Sequence, residues 1–215
     1  MSFIVDEQVE EYSERHTTPP DPLLAELAKE TYATMSTPQM LTGPIEGRFL
    51  ELLVHGSGAK RILEIGTFTG YAALSMAAAL PEGGRIDTLD IEPEHAEVAQ
   101  RYFDRSPHGS KITLHLGPAI ETIGRLEGEF DLVFIDADKD GYDAYYEAVL
   151  PRLAERGLIA VDNTLWSGKV LPDSGDDAES TKALRAFNDH VRDDPRVTCV
   201  QLTVRDGVTL IRRSD

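Results

Sequence analysis

The sequence contains one cysteine and no long apolar run. Cys199 is the only cysteine among 215 residues, which excludes a disulfide framework and a thiolate metal cluster. The most apolar stretch, residues 72–80, is far shorter than the roughly 20 residues that a membrane span needs. The N-terminus carries Asp6, Glu7 and Glu10 where a secretory signal needs positive charge. These absences together predict a cytoplasmic protein with no membrane partner.

Basic residues are also scarce. The 21 Lys and Arg residues face 38 Asp and Glu residues, which gives a formal net charge of −17 at pH 7. Proteins that bind nucleic acids obtain much of their affinity from basic side chains that neutralise phosphates, and this chain has no basic run. The negative field equally disfavours an anionic membrane surface. The composition therefore excludes a nucleic-acid partner and favours a small uncharged or cationic substrate.

The first part of the chain has the pattern of helices. Residues 5–15 form a polar helical stretch, and prolines at 19, 20 and 22 separate it from a second helix over residues 23–35. After a loop at residues 36–43, a third helix over residues 44–55 has an apolar face predicted at Ile45, Phe49, Leu52 and Leu53. Residues 1–55 therefore predict a helical extension.

From residue 60 onwards, short β-branched runs alternate with helical stretches. Strands are predicted over residues 61–66, 85–90, 112–117, 131–136 and 157–162, and helices over residues 71–80, 93–105, 142–154 and 180–192. This alternation predicts a doubly wound α/β core with a parallel sheet over residues 60–215, within a single domain that spans residues 1–215. The last two strands, residues 197–204 and 208–213, flank an Asp-Gly turn, which predicts an antiparallel hairpin.

A glycine turn follows the first predicted strand. Gly66 and Gly70 allow a sharp turn and close approach of the backbone to a ligand. Phe68 stands where a dinucleotide fingerprint has its middle glycine and is poorly suited to a pyrophosphate, and no Gly-Lys-Ser/Thr is present, so a phosphate loop is absent. Asp90 ends the second strand, where a carboxylate can accept hydrogen bonds from ribose hydroxyls. The pattern fits a nucleoside without phosphates, although Asp90 also fits a simple helix cap.

Oxygen-bearing side chains follow the fourth and fifth strands. Asp136, Asp162 and Asn163 offer two carboxylates and an amide oxygen, which suit Mg²⁺, Ca²⁺ or Mn²⁺. Lys139 lies three residues beyond Asp136, and a nearby dication would disfavour its ammonium form, as a general base requires. The alternative is that residues 136–140 (DADKD) form a solvated acidic turn.

Three motifs carry a resemblance to a known family. Residues 64–71 (EIGTFTGY), 134–142 (FIDADKDGY) and 161–168 (VDNTLWSG) closely resemble the cation-dependent catechol/caffeoyl-CoA-type O-methyltransferases, in order and register from about Met40 to Arg213. The resemblance implies a Rossmann-like class I methyltransferase fold, dependent on S-adenosylmethionine (SAM), with a seven-stranded sheet whose last strand is antiparallel. It also implies a homodimer.

The resemblance assigns roles by position. It places the metal on Asp136, Asp162 and Asn163, catalysis on Lys139 and Asp136, and the acceptor beside Met40, Lys139 and Trp166. Trp166 fits either stacking on the acceptor or packing against the sheet. The cofactor would contact Met40, Thr42, Glu64, Gly66, Thr67, Gly70, Ala72, Asp90, Ala119 and Asp136.

The expected reaction is metal-dependent transfer of a methyl group from SAM to a hydroxyl of a catechol-type phenol. Ala72 departs from the serine of many relatives, so one hydroxyl contact to SAM is expected to be missing. The segment 167–180 carries four acidic residues against Lys169, which favours a small free phenol over a phosphate-rich CoA ester. The alternative function is a catalytically inactive SAM-binding regulatory or scaffold protein.

Overall fold

A computed structural model describes residues 4–214 and contains a seven-stranded mixed sheet. The strand order is β3-β2-β1-β4-β5-β7-β6; the first five of these are parallel, and β7 runs antiparallel to both of its neighbours. The predicted fold class and the terminal hairpin are thus confirmed. The strands are β1 Arg61–Ile65, β2 Arg85–Asp90, β3 Ile112–Leu116, β4 Phe130–Ile135, β5 Leu153–Val161, β6 Val197–Leu202 and β7 Val208–Arg213.

Eight α-helices accompany this sheet within residues 4–214. None of them is both long and apolar enough to cross a bilayer. The helices are α1 Glu7–Arg15, α2 Pro22–Thr34, α3 Gly43–Ser57, α4 Tyr71–Ala79, α5 Pro93–Arg105, α6 Ala119–Arg125, α7 Tyr142–Val149 and α8 Glu179–Asp193.

The largest differences from the sequence prediction concern α6, α7 and β5. Helix α6 was not predicted, because seven residues show too little periodicity. Helix α7 ends at Val149 rather than at residue 154, since Pro151 lacks the N–H that would continue the helix. Strand β5 consequently begins at Leu153, four residues before the predicted start.

The core lies on both faces of the sheet, as expected for buried parallel strands. Leu63 and Val133 point to one face, where they pack against α6, α7 and α8. Ile62 and Phe134 point to the other face, which α3 and α4 cover. Alternate residues of each strand therefore belong to opposite layers, and the polar residues that end the strands are left at the edges.

Helix α2 is attached to the α/β part by ion pairs and a buried hydrogen bond. Glu30 pairs with Arg101 of α5 at 2.5 Å and accepts a hydrogen bond from the Tyr102 hydroxyl at 2.7 Å. The Thr31 hydroxyl, which is buried, donates to Thr69 in the turn after β1 at 2.9 Å. The N-terminal helices thus pack directly behind the glycine turn.

Candidate active site

The carboxyl ends of β1, β2, β4 and β5 meet at one edge of the sheet. The chain leaves β1 towards β2 and β3 on one side and later builds β4 and β5 on the other, so this edge contains the topological switch point. The tip of the β6–β7 hairpin reaches the same edge, because β6 runs parallel to β5 while β7 returns. Ligands of open α/β sheets bind at such a place.

The turn after β1 can be formed only with glycine at two positions. Gly66 has a φ of +102°, and a Cβ there would lie 1.8 Å from the Asp136 carbonyl oxygen. Gly70 has a φ of +90°, and a Cβ there would lie 2.6 Å from the Phe103 ring. The backbone of this turn therefore packs closely against the end of β4 at Gly66 and against the Phe103 ring of α5 at Gly70.

Asp90 organises the same turn. Its Oδ2 accepts a hydrogen bond of 2.7 Å from the backbone N–H of Phe68, a residue held at a φ of +48°. Its Oδ1 accepts from the Glu92 N–H at 2.8 Å, two residues along the chain. Helix α5 begins at Pro93 with Glu92 as its N-cap, so the interpretation of Asp90 as a helix cap is wrong. An ionised carboxylate offers about four acceptor positions, which leaves capacity for ligand hydroxyls.

Glu64 is a fully buried carboxylate in β1, two residues before Gly66. Its Oε2 accepts a 2.5 Å hydrogen bond from Thr88, whose hydroxyl contacts that of Thr67 at 2.6 Å. Its Oε1 is buried without a protein partner. Burial is the main cause that raises the pKa of Glu64 to about 8, against the lowering effect of the Thr88 hydrogen bond. The ionised form of this carboxyl is therefore unfavourable unless a cationic group pairs with it.

Asp136 and Asp162 bring two carboxylates together at the ends of β4 and β5. Asp162 is 4% exposed, and its Oδ1 is buried without a partner. Burial and then the charge of Asp136 raise the pKa of Asp162 to about 7, while Lys139 opposes the shift. Asn163, at a φ of +56°, donates from Nδ2 to Asp162 Oδ2 at 2.9 Å.

Lys139 lies buried among these oxygens. Its Nζ is 2.6 Å from Asn163 Oδ1, 3.3 Å from Asp136 Oδ1 and 3.0 Å from the Ala137 carbonyl oxygen. It also contacts the Tyr142 hydroxyl at 2.5 Å. Four acceptors surround a group with three hydrogens. The interpretation of residues 136–140 as a solvated turn is thus wrong for Lys139, which is 8% exposed.

Trp166 lies in a strained loop after β5. Trp166 and Ser167 have φ values of +48° and +52°, and Asp206 accepts the Ser167 N–H at 2.5 Å. The indole ring packs against the core and lies 5.5 Å from the Lys139 Nζ and 5.6 Å from the Lys169 Nζ. Its Nε1 is buried without a partner. Packing against the sheet end is therefore observed.

The remaining predicted residues also lie at this edge. Met40 is 52% exposed and Thr42 is buried, both just before α3. Ala72 packs its methyl group in the core near the start of α4, so only its backbone faces the edge. Ala119 begins α6, directly after β3.

Glu46 is a site residue that the sequence analysis missed. It is 1% exposed on α3, and its Oε1 has no partner. Burial and the charges of Asp162 and Asp136 raise the pKa of Glu46 well above its usual value, while Arg205 opposes this. The predicted apolar face of this helix was wrong at Leu52, which is 62% exposed. The spacing of the residues on the buried face is helical, and this spacing is a signal that could have identified Glu46. The buried residues are Gly43, Glu46, Gly47, Leu50 and Val54.

Comparisons with known proteins agree with this geometry. The profile of a family described as O-methyltransferase matches residues 13–214. Caffeoyl-CoA O-methyltransferase 2 of Zea mays is 43% identical over 188 residues, which are 81% of this chain and 70% of the relative. The structure of a methyltransferase of Podospora anserina, solved with S-adenosylhomocysteine (SAH), superimposes with a TM-score of 0.90 at 31% identity. The match covers 97% of this chain and 95% of the Podospora chain.

A second solved structure repeats the match. The O-methyltransferase of Bacillus cereus, in a complex with SAH, has a TM-score of 0.87 at 30% identity, with 96% of this chain and 97% of its own covered. The resemblance of the motifs is confirmed: the chain belongs to the O-methyltransferase family and is a SAM-dependent O-methyltransferase.

Proposed function

We propose that the enzyme methylates one hydroxyl of a catechol-type phenol and that it uses a divalent cation held by Asp136, Asp162 and Asn163. The observation that carries this proposal is the buried, unpartnered Asp162 Oδ1 beside a second carboxylate. Two neighbouring carboxylates with one oxygen unsatisfied form a site that a dication would stabilise.

The donor set fits a hard cation. Two carboxylates and one amide oxygen are ligands for Mg²⁺, Ca²⁺ or Mn²⁺, and three protein ligands leave positions for acceptor oxygens. A cation bound there lowers the pKa of a coordinated hydroxyl and orients a vicinal diol. Within residues 4–214, the one group of three His, Cys, Asp or Glu side chains close enough to share a metal is Glu147, His190 and Asp194. Both of its carboxylates already pair with Arg196.

Lys139, as the neutral amine that a neighbouring dication would favour, is the residue that takes the phenol proton in this proposal. Its Nζ lies 2.6 Å from Asn163 Oδ1 and 3.3 Å from Asp136 Oδ1, so an acceptor hydroxyl at these oxygens lies within reach of the amine. The phenolate oxygen then forms a bond to the methyl carbon as the sulfonium–carbon bond breaks. The leaving thioether is neutral, so positioning and exclusion of water should supply most of the acceleration.

The cofactor is proposed to lie between the glycine turn and α3. Asp90 has acceptor capacity for ribose hydroxyls, and Glu64 offers a buried carboxylate to the SAM ammonium group. The close approach of Gly66 to β4 brings the turn after β1 next to Asp136.

Replacement of Glu64 tests this assignment through stability and binding together. Because the pKa of Glu64 is raised to about 8, the folded state holds a proton that the unfolded state has released, and its stability falls as pH rises towards 8. The variant Glu64→Gln cannot titrate. We therefore expect its melting temperature to exceed that of the unliganded wild type by more at pH 8.5 than at pH 6, while its affinity for SAH falls roughly tenfold.

Two measurements decide this prediction. Thermal unfolding at several pH values gives the stability difference, and calorimetric titration with SAH gives the affinity. An unchanged SAH affinity would remove Glu64 from the cofactor site, and a pH-independent stability difference would contradict its raised pKa.

The acceptor is proposed to be a small free phenol. The loop that carries Trp166 continues through the acidic residues Asp173, Asp176, Asp177 and Glu179. One basic residue of this segment, Lys169, pairs with Asp176 at 3.7 Å. The phosphates of a CoA ester would meet a negative surface there.

The direct test is a methyl-transfer assay with SAM and simple catechols, caffeic acid or caffeoyl-CoA. We expect turnover of the free catechols that EDTA removes and Mg²⁺ restores. Turnover indifferent to EDTA would exclude the cation, and turnover of caffeoyl-CoA alone would exclude the free phenol.

The implied homodimer is a separate proposal that sedimentation analysis would test.

A further inference from the structure

Arg205 connects the hairpin tip to the loop before α3. It lies between β6 and β7 at a φ of +46°, a conformation that favours glycine. Its Nη1 donates a hydrogen bond to the carbonyl oxygen of Thr42, 163 positions earlier in the chain. A Cβ at Gly43 would lie 2.5 Å from this Nη1, so the glycine leaves the space that the guanidinium occupies. A strained residue is therefore held in place by a long-range contact.

The same guanidinium also lies beside a buried carboxylate. Arg205 Nε is 4.0 Å from Glu46 Oε2, and the side chains are 27% and 2% exposed. Glu46 in turn lies within the field of Asp162 and Asp136, and its Oε1 has no partner. Arg205 is thus the positive charge on the helix side of this carboxylate cluster, as Lys139 is on the strand side.

We propose that Arg205 is a positioning residue with two separable effects: it holds the loop at Met40–Thr42 against the cofactor, and its positive charge offsets the negative charge of the carboxylates at the cation site. The first effect rests on the cofactor position of the proposed function, and the second rests on its cation site. Arg205 contacts Thr42 and not the cofactor, so it acts on the loop through Thr42.

The two effects predict opposite changes in affinity. Without the guanidinium, the Thr42 carbonyl loses its partner and the loop is free to leave the cofactor, which weakens SAH binding. The positive charge of Arg205 also acts on Asp162, so its removal makes the cation site more negative and the site attracts a dication more strongly. General damage to the fold would instead weaken both ligands.

The experiment compares Arg205→Gly, Arg205→Lys and Arg156→Ala with the wild type. Glycine removes the guanidinium and accepts the positive φ, so the backbone is relieved rather than strained. Lysine keeps the charge but lacks the planar fork. Arg156 is an exposed residue in the first half of β5, away from the site, and its replacement makes the same change in net charge.

Calorimetric titration with SAH and electron paramagnetic resonance of free Mn²⁺ provide the two affinities, with thermal unfolding as the check on folding. For Arg205→Gly we expect the SAH dissociation constant to rise roughly tenfold, because one charge-assisted hydrogen bond that holds the loop is lost. We expect its Mn²⁺ dissociation constant to fall roughly two- to threefold. Arg205→Lys should be intermediate for SAH and near wild type for Mn²⁺, and Arg156→Ala should match the wild type in both.

Each outcome decides one part. SAH affinity of Arg205→Gly within twofold of the wild type would overturn the positioning of the loop. Mn²⁺ affinity that is unchanged or weaker would overturn the electrostatic effect. A wild type that binds no Mn²⁺ would overturn the proposed cation site and with it the electrostatic effect, while the SAH titration would still decide the role of the loop.

Discussion

Replacement of Asp162 with alanine is expected to abolish cation-dependent methyl transfer while the protein stays folded. Asp162 is a proposed ligand, and its Oδ1 is buried without a protein partner. A metal that stabilises the reacting charge contributes several kcal/mol, so kcat should fall by roughly 10³-fold or more. The measurement is initial rate against Mg²⁺ concentration at saturating SAM and catechol.

Stability provides the control for this variant. The pKa of Asp162 is raised to about 7, so ionisation of the carboxyl costs the folded state stability as pH rises through 7. Asp162→Asn, which cannot ionise, should therefore lose activity but melt no lower than the metal-free wild type at pH 8. Asp140→Ala, at an exposed position of the neighbouring turn, should retain turnover. A folded Asp162→Ala protein with near-full activity would exclude the metal assignment.

Replacement of Lys139 should have the second large effect. Lys139→Met removes the amine that is proposed to accept the phenol proton, and general-base catalysis typically contributes roughly 10²–10⁴-fold. We expect kcat to fall within that range and SAH affinity to stay close to the wild-type value. Rates measured from pH 6 to 10 at saturating substrates would show the loss.

Lys139→Arg separates two roles of this side chain. Arginine keeps the positive charge among Asp136, Asp162 and Asn163 but does not lose its proton in proteins. Its activity should therefore be as low as that of Lys139→Met if Lys139 is the base. Substantial activity in Lys139→Arg would instead assign Lys139 to charge compensation. Lys182→Met, at an exposed position of α8, serves as the matched control.

The sequence was sufficient to predict the parallel strands, the antiparallel hairpin at the end of the chain and the residues that end the strands. Asp90, Asp136 and Asp162 each follow a β-branched run, and parallel strands bring their carboxyl ends to one edge. The glycine turn was recognisable because Gly66 and Gly70 stand at fixed positions after β1. Local pattern and the rules of sheet topology were enough for these residues.

Residues whose role depends on long-range packing were not predicted. Glu46 belongs to the site because the face of α3 that carries it is directed towards β4 and β5. The apolar periodicity of the sequence instead predicted a different buried face of this helix. Arg205 was seen only as part of a turn, since nothing local indicates a hydrogen bond to Thr42. The observed end of α7 and the observed start of β5 differ from the predicted ones because Pro151 stops the helix earlier than the apolar pattern suggested.

The returning strand β7 has an evolutionary consequence. Its pairing with β5 and β6 fixes the register of the hairpin, whereas the tip at Arg205–Gly207 contributes no strand pairs. Gly207 is buried at a φ of +90°, and a Cβ there would lie 2.5 Å from the Leu165 side chain, so folding constrains this position. Substitutions at Arg205 and Asp206 can instead alter the loops that carry Thr42 and Trp166 without disturbing the hydrophobic layers. These two positions are places at which selection can retune cofactor and acceptor preference largely independently of folding, and a library confined to them would sample specificity with little loss of folded variants.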